Sequence, residues 1–160
     1  MRVNVVGVRF QRHACRSLGI GITAYGVLSR GLISGHWNKN AAGAGDFRSF
    51  SPRFQKDNVD RNLALVEALR AVASTRHSSV AQIAIGWVMG QGEDIVPLIG
   101  ARRRDQLGET LGAIDISLTP GDMAVIERAV PKGAAAGDRY AAAQMKDLDS
   151  ERPGGGADQA

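Results

Sequence analysis

Two short apolar runs, separated by helical segments and each ending at a glycine, restrict this chain to a small set of folds. Residues 20–25 (IGITAY) alternate with the period of a β-strand and run into the glycine-rich turn YGVLSRG. Residues 95–99 (IVPLI) precede Gly100 and predict a strand buried on both faces, although Pro97 removes one ladder donor. Because parallel strands need long crossovers, the order strand, helices, strand, helix predicts an α/β fold with parallel strands.

Helical periodicity predicts the elements between and after these strands. The apolar residues of 59–73 fall on one stripe, which predicts a half-exposed helix that ends near residues 74–77. The run VAQIAIGWVM after Ser79 is apolar on nearly every side and predicts a helix buried on most faces. A third helix is predicted over 103–114, and Thr119, followed by a proline and an aspartate, predicts the start of a fourth. The residues of that fourth helix expected to face inward are Met123, Ile126 and Val130.

Composition excludes several classes of protein. A length of 160 residues with 44% apolar and 22% charged side chains suits one globular domain. The single cysteine, Cys15, cannot form an internal disulfide and, with three histidines, cannot supply a zinc site. We therefore expect no metal and a reducing, cytoplasmic location. No apolar run approaches the roughly 20 residues that span a bilayer, so we expect neither a membrane span nor an export signal.

Two turns, one after each predicted strand, carry groups suited to phosphate. In the first, at 25–31, glycines let the backbone approach an anion, and Ser29 and Arg30 supply a donor and a charge. In the second, three arginines at 102–104 stand at a helix start, where positive charge is unfavourable unless an anion compensates it. An ordinary glycine turn and a solvated basic turn remain alternatives. If both bind phosphate, a dinucleotide with a 2′-phosphate fits the pair.

Several stretches resemble the C-terminal part of the aldo-keto reductase family, in the family's order, over about residues 14 to 151. They are GIGITAYGVLSRGLISG, RFQKDNVDRNLALVEALRAVA, VAQIAIGWVM, IVPLIGARRRDQLGETLGAID, LTPGDMAVIERAV and GDRYAAAQMKDLDSE. The resemblance implies a partial (β/α)8 TIM barrel, in which 20–25 is the seventh strand and 95–99 the eighth, followed by a C-terminal extension. It divides the chain into an unmatched segment 1–13, a barrel portion 14–150 and a disordered tail 151–160.

The resemblance also implies NADPH or NADP as cofactor and assigns residues to it. Tyr25 is expected to lie against the nicotinamide ring. The residues expected to wrap the pyrophosphate are Gly26, Leu28, Ser29, Arg30 and Gly31. Those expected to bind the 2′-phosphate and adenine are Gly100, Ala101, Arg102, Gln106, Glu109 and Thr110. Many members have Ser or Thr in place of Ala101 and Asn in place of Thr110, so we expect weaker contacts to the adenosine, by about 1 kcal/mol per lost hydrogen bond.

No catalytic residue is predicted within this chain. The family's catalytic Asp, Tyr, Lys and His lie on the N-terminal half of the barrel, to which nothing here corresponds, and the tyrosines present are Tyr25 and Tyr140. We therefore expect a truncated protein that is inactive alone, although the intact family reduces small-molecule aldehydes and ketones. Two strands cannot close a barrel, so a complementing N-terminal half or another chain is expected to cover the open strand edges.

Other interpretations follow from the same residues. A non-enzymatic nucleotide-binding module that docks on a partner protein is the alternative function. Nucleic-acid binding through 102–104 is disfavoured, because no nucleic-acid motif accompanies the arginines. Asp57 and Asp60 are interpreted as helix-start residues and the histidines as surface or loop residues. The segment 32–57 is long for a connection and is expected to be functional or flexible. The tail motif GDRYAAAQM at 137–145 is assigned no role.

Overall fold

The structure is a computed structural model that describes residues 12–37 and 46–146. A helical segment at 12–17 (α1) precedes strand β1 (Ile22–Ala24). The other strand and helices are α2 (Lys56–Thr75), α3 (Val80–Met89), β2 (Ile95–Pro97), α4 (Arg104–Leu111), α5 (Pro120–Ala129) and α6 (Ala142–Met145). Short 3-10 helices occur at Ser29–Ser34, Phe47–Phe50, Pro52–Phe54 and Gly112–Asp115. The described residues form an α/β fold without a closed barrel.

The two strands pair in parallel, as the order of elements predicts. Ile22 lies opposite Ile95 and Ala24 opposite Pro97. The backbone N–H of Leu98 donates to the carbonyl of Ala24 at 2.8 Å, which continues the contact just beyond the ladder. Each strand is shorter than its apolar run, but both C-terminal ends reach the same edge of the sheet. The turns that follow the strands are therefore neighbours.

Helix α3 forms the centre of the core, which confirms the prediction of a helix buried on most faces. Ser79 caps it through a reciprocal pair of hydrogen bonds with Gln82, and seven of its ten residues are buried. One side of α3 packs on α2, α5 and the loop after β1, whereas the other packs on the sheet. The loop after β1 is thus held against the core rather than projecting into solvent.

Helices α2 and α5 also follow their sequence patterns. The predicted stripe of α2 is largely buried, through Val59, Val66, Leu69 and Ala73. Helix α5 begins with Thr119 and Asp122 in a capping box, with a proline at its first turn, and it buries Ile126. These elements confirm the periodicity and capping arguments. Asn62, a buried polar residue on α2, was not expected from the stripe.

The expectation that the second strand is buried on both faces is wrong. Val96 and Leu98 are each 61% exposed, whereas Ile95 and Ile99 pack toward α3. The reason is that the described residues place helices on one face of this sheet and no layer on the other. Pro97 fits this position because β2 has a free edge, where a missing donor costs little.

The predicted third helix is shorter than the predicted range 103–114 and less buried than its apolar stripe predicts. Helix α4 passes into the 3-10 helix Gly112–Asp115, and the apolar stripe of this region is about half exposed or more. That stripe consists of Leu107, Leu111 and Ile114. The segment 32–57 contains 3-10 turns where the structure describes it, and 38–45 lie outside the described residues. The tail 151–160, predicted to be disordered, also lies outside them.

Candidate functional site

The two turns singled out in the sequence lie at one edge of the sheet, because each follows the C-terminal end of one of the paired strands. The segments that continue from the turns are joined by a side-chain contact: Nε2 of His36 lies 3.1 Å from Oε2 of Glu109 on α4. The backbone carbonyl of Glu109 also accepts a hydrogen bond from Gln82 at 3.0 Å. The structure therefore connects the chain that follows the predicted pyrophosphate loop to the predicted adenosine segment.

The loop after β1 has an unusual backbone. Gly26 and Gly31 adopt positive φ angles of 72° and 91°, which glycine tolerates. Ser29 and Arg30 also have positive φ angles, 48° and 58°, in a region that costs a non-glycine residue about 1–2 kcal/mol. The N–H of Ser29 donates to Gly26 and that of Gly31 donates to Leu28, each at 2.9 Å. Strain held in this way is found preferentially at ligand sites.

The side chains of this loop divide between core and surface. Leu28 packs against both clusters of the core, so its part in a ligand site is limited to its backbone. A Cβ atom built at Gly26 meets nothing within 4 Å, which leaves open space beside the backbone there. Arg30 donates from Nη1 to the Ser51 hydroxyl at 2.8 Å and keeps its other N–H groups available.

The turn after β2 exposes the arginines. Gly100 has open space beside it, and Ala101 and Arg102 are exposed. Arg103 forms an ion pair with Asp105 that holds the pKa of that carboxyl below its usual range. In the part of the chain that the structure describes, Arg102 and Arg104 have no carboxylate partner. One arginine of the three is thus neutralised by the protein, and two are left for an anion.

The remaining predicted residues lie along α4. Gln106 accepts a hydrogen bond from the backbone N–H of Arg102 at 3.3 Å, which ties the turn to the helix. The hydroxyl of Thr110 donates back to the carbonyls of Gln106 and Leu107, at 3.0 and 2.9 Å. Its hydrogen is therefore used within the helix, and only its lone pairs remain for a ligand. This agrees with the expectation of weaker adenosine contacts.

Two residues of the tail complete the site, and sequence reasoning missed them. Nη2 of Arg139 donates to the Tyr25 hydroxyl at 2.7 Å, and the hydroxyls of Tyr25 and Tyr140 lie 3.3 Å apart. The hydrogen bond with Tyr140, together with burial, raises the pKa of Tyr25. The same bond lowers the pKa of Tyr140, and the positive charges of Arg139 and Arg30 act in the same direction. The signal in the sequence was the motif GDRY, which had been assigned no role.

A cleft of about 170 Å³ opens behind this cluster, between the loop after β1, helix α2 and the tail. Its inner wall is mostly apolar, and its mouth carries Tyr25, Ser29, Arg30, Arg139 and Tyr140. The lining residues that the structure describes include no lysine, histidine or carboxylate. Tyr25 and Tyr140 therefore lack the lysine and histidine that assist the family's proton donor.

The described residues supply no metal site, since they contain no cluster of three or more histidine, cysteine, aspartate or glutamate side chains able to hold an ion. Nor is any described helix long and apolar enough to cross a membrane. His13 and His36 are exposed, and His77 lies in the turn after α2 with a positive φ angle of 49°. The electrostatic character of the site therefore comes from arginines.

Comparison with known proteins places these features in a family. A model of the Aldo/keto reductase family matches residues 10–131. The chain is 37% identical over 126 residues to a probable aldo-keto reductase 1 of Glycine max. It is 34% identical over 128 residues to the aldo-keto reductase yakc of Schizosaccharomyces pombe, whose name specifies NADP(+). Each match covers 79% of this chain.

A solved structure shows the same similarity. The glycerol dehydrogenase AKR11B4 from Gluconobacter oxydans superposes with a TM-score of 0.64 and 32% sequence identity, over 74% of this chain. The similarity spans 37% of that structure, and the two curated relatives are matched over 36% and 38% of their own length. The chain therefore spans little more than a third of the proteins that it resembles.

Proposed function

The chain belongs to the aldo/keto reductase family, and on that premise we propose that its two strand ends bind the NADPH or NADP⁺ of a carbonyl reductase. The observation that carries the proposal is the meeting of two anion-suited turns at one edge of a parallel sheet. We further propose that β1 and β2 are the seventh and eighth strands of a (β/α)8 barrel. The parallel pairing of β1 with β2 and the helices that follow each strand are compatible with neighbouring strands of such a barrel.

The residues present fit a dinucleotide phosphate group. A side chain would fill the space beside Gly26 and Gly100, which is open in this structure. Arg30 belongs to the same loop as Gly26, and Arg102 to the same turn as Gly100; neither has a carboxylate partner among the described residues. A bound phosphate would supply the negative charge that these guanidiniums lack, through charge-assisted hydrogen bonds.

Each part of the site has a role in this proposal. The ring of Tyr25, 55% exposed, provides a flat surface for the nicotinamide. Gly26–Gly31 surround the diphosphate, and Arg102, Gln106 and Glu109 hold the adenosine and its 2′-phosphate. The dinucleotide, when bound, supplies a hydride to the carbonyl carbon of an aldehyde or ketone. The contact between His36 and Glu109 keeps the two halves of the site at a fixed separation.

Proton delivery is the step for which the described residues of the cleft supply no lysine, histidine or carboxylate. Reduction of a carbonyl needs an acid beside the developing alkoxide, and no lysine, histidine or carboxylate is among the described residues that line the cleft. We propose that the 160 residues bind the cofactor without turnover. A further polypeptide that covers the open strand edges would supply the acid, in a reducing compartment such as the cytoplasm.

Calorimetric titration of the purified chain with NADP⁺ and NAD⁺ tests the cofactor assignment. We expect NADP⁺ to bind about tenfold more tightly or better, since one charge-assisted contact to the 2′-phosphate contributes about 1.5 kcal/mol or more. Arg102→Ala should remove this preference, whereas Arg128→Ala, at an exposed position on α5, should not. A chain that binds neither dinucleotide would refute the proposal.

Oxidation of NADPH in the presence of a simple aldehyde tests the second part. The chain alone should give the background rate. Addition of a separately produced N-terminal portion of an aldo-keto reductase should raise that rate if the missing acid is supplied in this way. Carbonyl reduction by the 160 residues alone would contradict the proposed division of roles.

A further inference from the structure

The tail segment, residues 132–146, begins after the last residue matched by the family model and returns to the end of β1. It is fixed at its base by Asn62 on α2. The Asn62 side chain donates to the carbonyl of Ala136 at 2.9 Å and accepts from its N–H at 2.8 Å. Gly137, with a φ of 80°, then turns the chain so that Arg139 and Tyr140 reach the cleft mouth.

This return brings a second guanidinium to the predicted pyrophosphate loop. The Cζ atoms of Arg30 and Arg139 lie 4.9 Å and 5.4 Å from the centroid of the Tyr140 ring. Arg139 also lies 5.1 Å from the centroid of Tyr25. Aromatic faces attract cations, which explains how the protein holds two positive groups at this place.

The two positive charges lack a negative partner. Within 12–37 and 46–146, neither Arg30 nor Arg139 forms an ion pair. Arg30 donates to the Ser51 hydroxyl, and Arg139 donates to the hydroxyls of Tyr25 and Tyr140. These partners are neutral, and each guanidinium, with five N–H donors, retains further donors. Two like charges held on the same aromatic ring repel, and a doubly charged anion that both guanidiniums contact would offset that repulsion.

The positions of Arg30 and Arg139 indicate which anionic group of the cofactor they bind. Arg30 belongs to the loop proposed to surround the diphosphate, and Arg139 contacts the tyrosine proposed to carry the nicotinamide. The 2′-phosphate is assigned to the other end of the site, after β2. The diphosphate is therefore the anion that both guanidiniums face.

We propose that Arg139 is a second arginine of the cofactor site and binds the diphosphate of NADP(H) together with Arg30. The inference rests on the proposed function above. Tyr140 is a positioning residue in this arrangement, because its ring supports both guanidiniums. The cofactor would thus be held partly by a segment that lies beyond the family match.

Titration of the full 160-residue chain and its variants with two ligands tests the proposal. The ligands are NADP⁺ and 2′,5′-ADP, which carries the adenosine, its 2′-phosphate and one 5′-phosphate but lacks the nicotinamide-side phosphate of the diphosphate. We expect Arg139→Ala to weaken NADP⁺ about tenfold or more and to leave 2′,5′-ADP within about twofold. Arg139→Lys keeps the positive charge but loses the paired N–H donors of the guanidinium. Its affinity for NADP⁺ should therefore lie between those of Arg139→Ala and the unmodified chain.

Controls separate a ligand contact from a structural effect. Arg128→Ala removes one charge from the exposed side of α5 and should change neither affinity. Thermal unfolding of each variant reports whether the tail still docks. Equal NADP⁺ binding by Arg139→Ala and the unmodified chain would overturn the proposal, as would an equal loss of both ligands. Failure of the unmodified chain to bind NADP⁺ would instead refute the proposed function.

Discussion

Asn62 shows what a single residue contributes here and why sequence reasoning overlooked it. The stripe predicted for α2 is apolar, yet Asn62 lies in it and is 3% exposed. Its side-chain amide donates to the backbone carbonyl of Arg53 at 2.9 Å and also forms hydrogen bonds with the carbonyl and the N–H of Ala136. The second partner is 74 residues away, and no local pattern announces a contact of that length. The glycines of the turn at 25–31, by contrast, were predictable from their local role.

Asn62→Ala should lower the free energy of unfolding by about 2–3 kcal/mol. The substitution removes three hydrogen bonds and leaves the Ala136 N–H without its partner, and each buried bond contributes about 1 kcal/mol. Urea denaturation measures the change. Arg61→Ala, at the exposed neighbouring position, should stay within about 0.5 kcal/mol. A loss below 1 kcal/mol for Asn62→Ala would mean that the tail is not fixed by this side chain.

Gly137→Ala and Gly133→Ala form a matched pair in the tail. Both glycines have φ angles near 80°, so alanine is strained at either position by about 1 kcal/mol. A Cβ at Gly137 would also lie 2.8 Å from the Pro52 carbonyl oxygen, whereas one at Gly133 meets nothing within 4 Å. We therefore expect Gly137→Ala to be clearly the more destabilising in urea denaturation. Equal losses would show that the tail does not approach Pro52 as described.

At the level of secondary structure, apolar periodicity and capping residues predicted which helices and strands exist better than they predicted how each element is buried. Helices α2 and α3 lie where the apolar spacing places them, and α5 lies where the Thr119 cap places it. The apolar run of the second strand, however, predicted burial on both faces, and Val96 is exposed. Apolar composition states that a residue is suited to burial, but not which layer covers it. Helix α6 has four residues and no periodic signal, so it was not predicted.

Helices α2 and α5 are joined by a charge pair that makes their packing dependent on pH. Arg76, at the end of α2, binds the Asp122 carboxylate, which also accepts hydrogen bonds in the α5 capping box. The bond from Arg76 is the largest of the effects that hold the pKa of Asp122 well below its usual range. A carboxyl with a depressed pKa in the folded state stabilises the fold above its unfolded pKa, about 3.9, and this is lost as pH falls further.

Asp122→Asn should therefore lower the melting temperature at pH 7 but lose its effect in acid. The difference from the unmodified chain should be full above about pH 5 and should shrink steadily as pH falls toward 2. Thermal melts across that range measure it. Asp115→Asn, at an exposed aspartate that forms no ion pair within the described residues, serves as the control and should show little difference at any pH. If Asp122→Asn lowered the melting temperature by the same amount at every pH, the Asp122 side chain would act through its shape and not through its charge.

At the scale of the whole molecule, the family motifs indicated more about the identity of the chain than its composition did. Six stretches of sequence in the family's order, over about residues 14 to 151, indicate the family, and the comparisons confirm it. The approach of the tail to Tyr25 could not be predicted, because it depends on the path of the chain after α5. The contact between His36 and Glu109 is of the same kind, since it joins segments 73 residues apart.

The open face of the two-stranded sheet, Val96 and Leu98 together with the free strand edges, has a consequence for the isolated chain. Unpaired edges and exposed apolar residues promote association. We expect sedimentation velocity to show self-association that increases with concentration, and Val96→Lys with Leu98→Lys to reduce it. Val125→Lys, at a 40% exposed position on α5, adds one positive charge away from the sheet, where the double variant adds two on it, and should leave association unchanged. If all three proteins sediment as the same monomer, the sheet face needs no partner, and the proposed complementing polypeptide loses its physical reason.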